Sequence, residues 1–311
     1  MQRFTVACAQ FAITPMDVMA NVAKSVAWTR RAFDESGAQL ILLPETITTG
    51  FVPRMDPAAL WDVVDVLPGR LSEPLQAIAQ ELGIYLAFGT YERGEERGIV
   101  YNSAPLIGPN GDVLGVYRKT HLFPAERIMA PRPPILGESA SPQSGEAEGS
   151  CGWSTPGRDP VVIETPLANI GLIICYDGDF PELARAEAIM GAEVILRPSA
   201  LLRSFEIWEL TNRARAYDNH VYMVACNAVG PDAGNNYYFG HSMIVDPISH
   251  KLAQARGTEE VCFAELDPDP IKHVTYGSAS PMIFDHLADR NLAAYRNILT
   301  PARSRFEPAR R

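Results

Sequence analysis

Cys175 is the residue whose surroundings point most directly to chemistry. It closes the apolar run Gly171-Leu172-Ile173-Ile174 and precedes Tyr176-Asp177-Gly178-Asp179-Phe180-Pro181-Glu182. A buried strand that ends in a glycine-containing turn and then a helix delivers its last side chain to the place where open α/β folds bind ligands. The bend resembles a nucleophile elbow. A thiol is a poor nucleophile until it ionises, so it needs a neighbouring base or cation. Two other segments offer such partners. Leu40-Ile41-Leu42-Leu43-Pro44-Glu45 places a carboxylate just beyond another apolar strand, where burial suits it to general-base work. Val113–Arg118 runs into Lys119, a cation able to lower a thiol pKa and to hold a developing oxyanion. Glu126, in the same segment, can hold or tune a leaving group. Each residue alone also has an inert reading, as a packed strand cysteine, a loop-capping acid or an exposed lysine.

The elements that must position these residues are read from hydrophobic periodicity. Residues 4–10 read as a strand and 17–35 as a helix ended by Gly37. A strand over 39–43 stops at Pro44, and Ser72 is the expected N-cap of a helix ending at Gly83. Strands follow at 84–91 and 99–107, with Pro109-Asn110-Gly111 turning the chain into the hairpin partner 113–118. The second half repeats the style. Strands are expected at 161–165, 170–176, 193–197, 221–227, 242–246 and 261–266, with helices from Pro181 through Met190 and over 205–219. Strands joined partly by helices and partly by tight turns imply an α/β protein of mixed sheets faced by helices. The Pro-, Gly-, Ser- and Glu-rich stretch 130–159 breaks the pattern and reads as an inserted loop, either an exposed insertion or a lid over the site.

Composition narrows the class. With 311 residues, 47% apolar, the chain can bury a substantial core. A formal net charge of −10 disfavours nucleic-acid binding, and no apolar run is long enough to span a bilayer. The N-terminus carries no export signature, and the five cysteines are scattered, the usage of a reduced compartment, so a cytoplasmic location is expected. The six histidines show no His-x-x-x-His spacing and the cysteines no Cys-x-x-Cys, so neither a metal site nor a cofactor is expected.

Taken together, these segments resemble the nitrilase, or carbon–nitrogen hydrolase, superfamily, whose signature is a Glu-Lys-Cys triad on separate strands. The glutamate motif is Leu43-Pro44-Glu45 with Gly50-Phe51, and the lysine motif is Tyr117-Arg118-Lys119-Thr120-His121-Leu122-Phe123. The nucleophile motif is Gly171 through Glu182. Arg197-Pro198-Ser199-Ala200, Arg213 through Asn219, Asn227 and Gly240 through Pro247 are similar to the family as well. The resemblance implies a four-layer α-β-β-α sandwich that dimerises to eight layers. It implies one domain over 1–280 and a C-terminal extension over 281–311 that packs on a partner subunit. Glu45 is then the general base, Cys175 the acyl-forming nucleophile, Lys119 the oxyanion partner, and Glu126 the family's second glutamate. The backbone N–H of Tyr176 completes the oxyanion site, and Phe51 joins it at the substrate pocket. Tyr176-Asp177 after the cysteine resembles amidases rather than nitrilases. The expected reaction is hydrolysis of a small linear amide to acid and ammonia through a thioester. An N-carbamoyl substrate is the nearest rival, with Arg197 as the candidate clamp for its carboxylate. A nitrile substrate, a Cys-His dyad using His121 or His241, and a non-catalytic interaction subunit are the remaining alternatives.

Overall fold

The computed structural model describes residues 1–52, 55–127, 152–232, 234, 236–268 and 285–302. β1 (Phe4–Gln10) leads into α1 (Val18–Ser36), which buries Val22, Trp28 and Ala32. Gly37, at φ 62°, ends that helix with its N–H on the Phe33 carbonyl, a left-handed stop that suits glycine. β2 (Leu40–Leu42) is followed by α2 (Pro57–Val63), a helix that hydrophobic periodicity does not announce. Its start is nonetheless written locally: Asp56 accepts from the N–H groups of Ala58 and Ala59, and Pro57 takes the first helical position. α3 (Glu73–Leu82) buries Leu75, Ile78 and Ala79 and stops at Gly83. Ser72 does not cap it; its hydroxyl turns back to accept from the Gly69 N–H at 2.9 Å.

The strand expected over 84–91 divides into β3 (Tyr85–Ala87) and β4 (Thr90–Arg93). Between them Gly89 packs against the segment that follows β2, where a Cβ would stand 2.6 Å from Glu45 Cα. β5 (Val100–Ile107) and β6 (Val113–Arg118) form the expected antiparallel hairpin, with Ser103 opposite Arg118. In the second half, β7 (Val162–Glu164) and β8 (Asn169–Leu172) form another, followed by a 3₁₀ turn over Cys175–Asp179 and α4 (Pro181–Ile189). β9 (Val194–Ser199), α5 (Phe205–Asn219) and β10 (Tyr222–Asn227) complete a parallel unit. β11 (Val229–Pro231) and β12 (Tyr237–Phe239) make a short ribbon, and β13 (Met243–Val245), β14 (Lys251–Gln254) and β15 (Glu260–Leu266) close the described strands.

These strands form two sheets. One runs β15-β1-β2-β3-β5-β4, with β6 on β5; the other runs β14-β13-β10-β9-β8-β7. β1 and β10 meet face to face between them, where Cys8 Sγ lies 3.8 Å from the Ala225 carbonyl and Cys226 Sγ 3.5 Å from that of Ala9. α1 and α3 cover the outer side of the first sheet, and α4 and α5 that of the second. The result is the α-β-β-α sandwich. Strands covered on both faces carry no alternation, which is why β2, β9 and β10 are buried throughout and show no period of two.

Of the stretch 130–159, residues 130–151 lie outside the described residues. The rest is built into the body: Trp153 is buried and donates its indole N–H to Tyr91 Oη at 2.8 Å, while Ser154 and Thr155 bridge to Arg127 and Tyr101. The chain divides into a unit over Met1–Val274 and a second over Thr275–Arg311, the latter described over 285–302 and containing a 3₁₀ turn at Leu292–Tyr295. Among the described residues, no helix is long and apolar enough to cross a membrane.

Candidate active site

The residues expected to act together leave the carboxyl ends of three strands. Glu45 follows β2, Lys119 follows β6 and Cys175 follows β8. Cys175 sits at φ 45°, a left-handed conformation that costs a non-glycine residue energy and clusters at functional sites. This is the sharp bend that the sequence implies, one turn beyond the strand's last paired residue.

Lys119 is fully buried, and its ammonium is divided between two carboxylates, donating to Glu45 Oε1 at 2.9 Å and to Glu126 Oε2 at 2.7 Å. The second glutamate is therefore placed beside the first. Asn102, in the middle of β5, reaches both from the other side, its Nδ2 donating to Glu45 Oε1 at 2.8 Å and to Glu126 Oε1 at 2.7 Å. The Ala200 N–H completes the hold on Glu45 Oε2 at 2.7 Å, and the Phe123 N–H that on Glu126 Oε2 at 3.0 Å. Burial alone would strip Lys119 of its proton, but the Glu126 and Glu45 carboxylates outweigh it and hold the pKa well above the ordinary lysine value. Burial raises the Glu126 pKa, with Glu45 adding to it and Lys119 opposing.

Cys175 presents a different balance. Burial, and after it the Glu45 carboxylate, push the thiol well up from its usual value, while Lys119 and Arg197 pull it down without reversing the outcome. Lys119 thus acts on the thiol in the expected direction, but the resting group is a neutral thiol.

Phe51 and Tyr176 line a cavity of about 320 Å³, its opening to solvent included, together with Lys119, Phe123, Cys175 and the loop Ala200–Arg203. Phe51 meets the rings of Phe123 and Trp153 edge-on at 6.3 and 5.3 Å. Arg197 does not line it. Its side chain is fully buried beneath the nucleophile turn, where Nε and Nη2 donate to the Cys175 carbonyl at 2.8 and 2.5 Å and Nη1 to Thr211 and Asn212 at 2.9 and 2.7 Å. The guanidinium lies over the Trp208 ring at 4.9 Å. Burial lowers its pKa to about 10, which leaves it protonated at neutral pH. A guanidinium committed in this way cannot clamp a substrate carboxylate; Arg197 positions the nucleophile's peptide instead. Gly178 makes the arrangement possible, because a Cβ there would stand 2.0 Å from Arg197 Cζ.

Asp177 fastens the lysine loop to the nucleophile turn. Its carboxylate accepts from the Tyr117 hydroxyl at 2.8 Å, the Ile174 N–H at 2.9 Å and the His121 N–H at 2.9 Å. His121 directs Nδ1 to the same carboxylate at 2.9 Å and stacks on Phe180, so its ring is engaged away from any dyad with Cys175. Asn102 is the residue of this cluster that motif reading misses, and Asp177, read only as part of the nucleophile motif, gains its tethering contacts from the structure. A lone amide at an inward position of the apolar run Val100–Ile107 was the available signal for the first.

Comparison with known proteins agrees with this geometry. The carbon-nitrogen hydrolase family model matches residues 5–276. The chain is 31% identical over 269 residues to omega-amidase NIT2 of Xenopus tropicalis, covering 86% of this chain and 90% of that one. It is 34% identical over 237 residues to the deaminated glutathione amidase of Homo sapiens, covering 74% and 67%. Among solved structures, a glutamate-to-glutamine mutant of the amidase from Nesterenkonia sp. AN1 superposes with a TM-score of 0.72 at 25% identity, covering 95% of this chain and 97% of that one. In that protein the acetamide moiety of fluoroacetamide is added covalently at the active-site cysteine. With a matched family model over most of its length and a cysteine set beside two carboxylates and a lysine, the chain belongs to the carbon-nitrogen hydrolase family, the nitrilase superfamily, and is an amidase of that family.

Proposed function

We propose that Cys175 and Glu45 hydrolyse a small linear amide to acid and ammonia, with Lys119 and the Tyr176 N–H holding the oxyanion. The observation that carries this reading is the Lys119 ammonium, dry and shared by Glu45 and Glu126 at the wall of the cavity that Cys175 enters. Because the resting thiol is neutral, Glu45 takes its proton as sulfur bonds to the carbonyl carbon. The carbonyl π electrons move to oxygen, and the oxyanion meets donors that are already oriented. Glu45 returns the proton to the amide nitrogen, the C–N bond breaks, and ammonia leaves a thioester. Water then gives a proton to Glu45 and adds to that thioester; collapse releases the acid and restores the thiol. Glu126 and Asn102 hold Lys119 and Glu45 in register throughout.

The test is ammonia release from short amides, N-carbamoyl amino acids and nitriles. Cys175→Ala is expected to abolish release from amides while thermal melting is retained, Glu45→Gln to lose both acylation and release, and the wild-type protein quenched in acid during turnover to carry an acyl mass on Cys175. Turnover by Cys175→Ala, or no acyl mass on any cysteine of the quenched wild-type protein, overturns the mechanism.

The same reading extends to assembly and location. Leu210 on α5 and Ile189 and Met190 at the end of α4 are exposed apolar residues, which supports a homodimer through this layer. Exposed Leu292, Tyr295, Ile298 and Leu299 support a partner-binding role for the C-terminal extension. Sedimentation of Leu210→Glu and of a chain ending at residue 284 tests the two faces separately; an unchanged dimer in both removes the proposal. The described cysteines Cys8, Cys175, Cys226 and Cys262 are all free thiols, which supports a reduced compartment such as the cytoplasm.

A further inference from the structure

A second cavity, of about 260 Å³ with its opening to solvent included, adjoins the one that Cys175 enters. Phe51 and Ala200 line both and form a shared wall. Thr46, Ala228, Asp232 and Tyr238 are among the other residues around the second. Thr46 follows Glu45 directly and is fully buried, and its Oγ1 has no hydrogen-bond partner among the described residues. Its backbone sits at φ 52°, a left-handed conformation that a β-branched residue rarely adopts. A buried hydroxyl left unpaired is costly, so beside a cavity with further polar groups it marks a place where water is held.

The second cavity supplies such groups. Tyr238 donates its proton to Asp232 Oδ2 at 2.9 Å, and the Gly234 N–H, the Asn236 N–H and Asn236 Nδ2 fill the rest of that carboxylate. The Tyr238 oxygen therefore meets a water only as an acceptor. Burial, and after it the Asp232 carboxylate, keep the phenol protonated, with the charge of Glu45 adding to the effect. Glu45 itself is held unequally. Its Oε1 takes two donors, Lys119 at 2.9 Å and Asn102 at 2.8 Å, whereas Oε2 takes the Ala200 N–H alone among the described residues, at 2.7 Å. A carboxylate oxygen can accept twice, so Oε2 keeps room for a proton, and the residue that holds it belongs to the wall between the cavities. The Cys175 cavity, lined largely by Phe51, Phe123, Leu201 and Leu202, is the one that the acyl group occupies.

We propose that the second cavity holds the water that hydrolyses the acyl-enzyme, and that Thr46 is the residue that positions this water toward Glu45 Oε2. The inference rests on the amidase reading of Cys175 and deepens it. The water oxygen bonds to the thioester carbonyl carbon as one of its protons passes to Glu45 Oε2. The C–S bond then breaks, and the proton returns from Glu45 to sulfur, leaving the acid and the free thiol. Acylation consumes no water, so it does not depend on Thr46.

The experiment sets hydroxylamine against water as the acceptor of the acyl group, with the short amide that the wild-type protein hydrolyses fastest as the donor. The ratio of hydroxamate to acid then reads the delivery of water, whichever step limits turnover. Thr46→Val keeps the branched shape and loses the hydroxyl. It should raise that ratio roughly threefold to tenfold, the worth of one hydrogen bond, while kcat/KM for the amide stays at the wild-type value. Thr46→Ser should bring the ratio back toward that of the wild type. In parallel, high-resolution crystal structures should show a water within hydrogen-bond reach of Thr46 Oγ1 in the wild-type protein and none at that place in Thr46→Val. The proposal is overturned if Thr46→Val leaves the ratio unchanged, or if no water touches Thr46 Oγ1 in the wild-type protein. It is also overturned if kcat/KM falls as far as water transfer does, as a structural role requires. Failure of the amidase reading is seen separately: the wild-type protein then gives neither hydroxamate nor an acyl mass on Cys175 with any amide, and the role of Thr46 falls with it.

Discussion

Glu187 offers a perturbation whose size can be worked from the structure. It lies on α4 facing β8, so close that a Cβ on Gly171 would stand 2.4 Å from its Oε2. The side chain is fully buried, and neither carboxyl oxygen has a hydrogen-bond partner of good geometry. Burial, and after it the charge of Asp177, raise its pKa well above the usual carboxylate value; the backbone at Leu172 and Val161 offsets part of this. The folded chain therefore keeps a proton that the unfolded chain loses above about pH 4.3. The stability this proton contributes is complete below that pH and drains away as pH rises toward the folded pKa. The loss runs at no more than 2.303RT per pH unit, on the order of 1 kcal/mol. Glu187→Gln keeps the shape and has nothing to titrate, so its stability relative to the wild type should climb as pH rises from 5 to 7. Glu187→Leu removes the unpaired polar atoms as well and should add about 1–3 kcal/mol at every pH. Urea unfolding followed by tryptophan fluorescence, at one protein concentration and at pH 5, 6 and 7, reads the difference. Parallel pH profiles for wild type and Glu187→Gln would refute the reasoning, because they would mean that the carboxyl is paired or already ionised in the folded chain.

Three further outcomes are expected. Gly178→Ala places a methyl on Arg197 and should cost about 1–3 kcal/mol by overpacking, along with most of the ammonia release; adding Arg197→Met should recover the melting temperature but not the activity. Asn102→Leu removes the donor shared by Glu45 and Glu126 and should lower kcat by roughly tenfold to a hundredfold with little change in KM, read from initial rates. Since burial and Glu45 raise the Cys175 pKa, iodoacetamide labelling of that thiol, followed by mass spectrometry, should still be accelerating at pH 9. A plateau below pH 8 would reveal a resting thiolate.

Much of this site is legible in the sequence because its parts sit at strand ends, where local signals are strong. The apolar runs before Glu45, Lys119 and Cys175 mark three strands, and the family motifs identify which polar residue follows each. Arg197 was harder. Its strand is buried on both faces, so an inward position could not be told from a pocket-facing one, and only the contact with the Cys175 carbonyl decides its role. Arg203 lies in a loop without periodicity, held by distant Asn227 and Glu45, and nothing local marks its direction. Asn102 acts through partners 57 and 24 residues away, a convergence that spacing along the chain does not display. Trp153 shows the opposite error: composition assigned it to a loop, whereas one large indole with a hydroxyl to bond was enough to bury it.

The peptide of Cys175 is gripped on its carbonyl from below, and Asp177 ties the chain on either side of it to Tyr117 and His121. Such a mount has no slack. Free, acylated and product-bound enzyme should superpose closely through 172–181, so that each turnover reuses one rigid seat instead of rebuilding it. The motion that catalysis requires is then left to the incoming molecule, and variants that loosen the seat should broaden what is accepted before they slow what is converted.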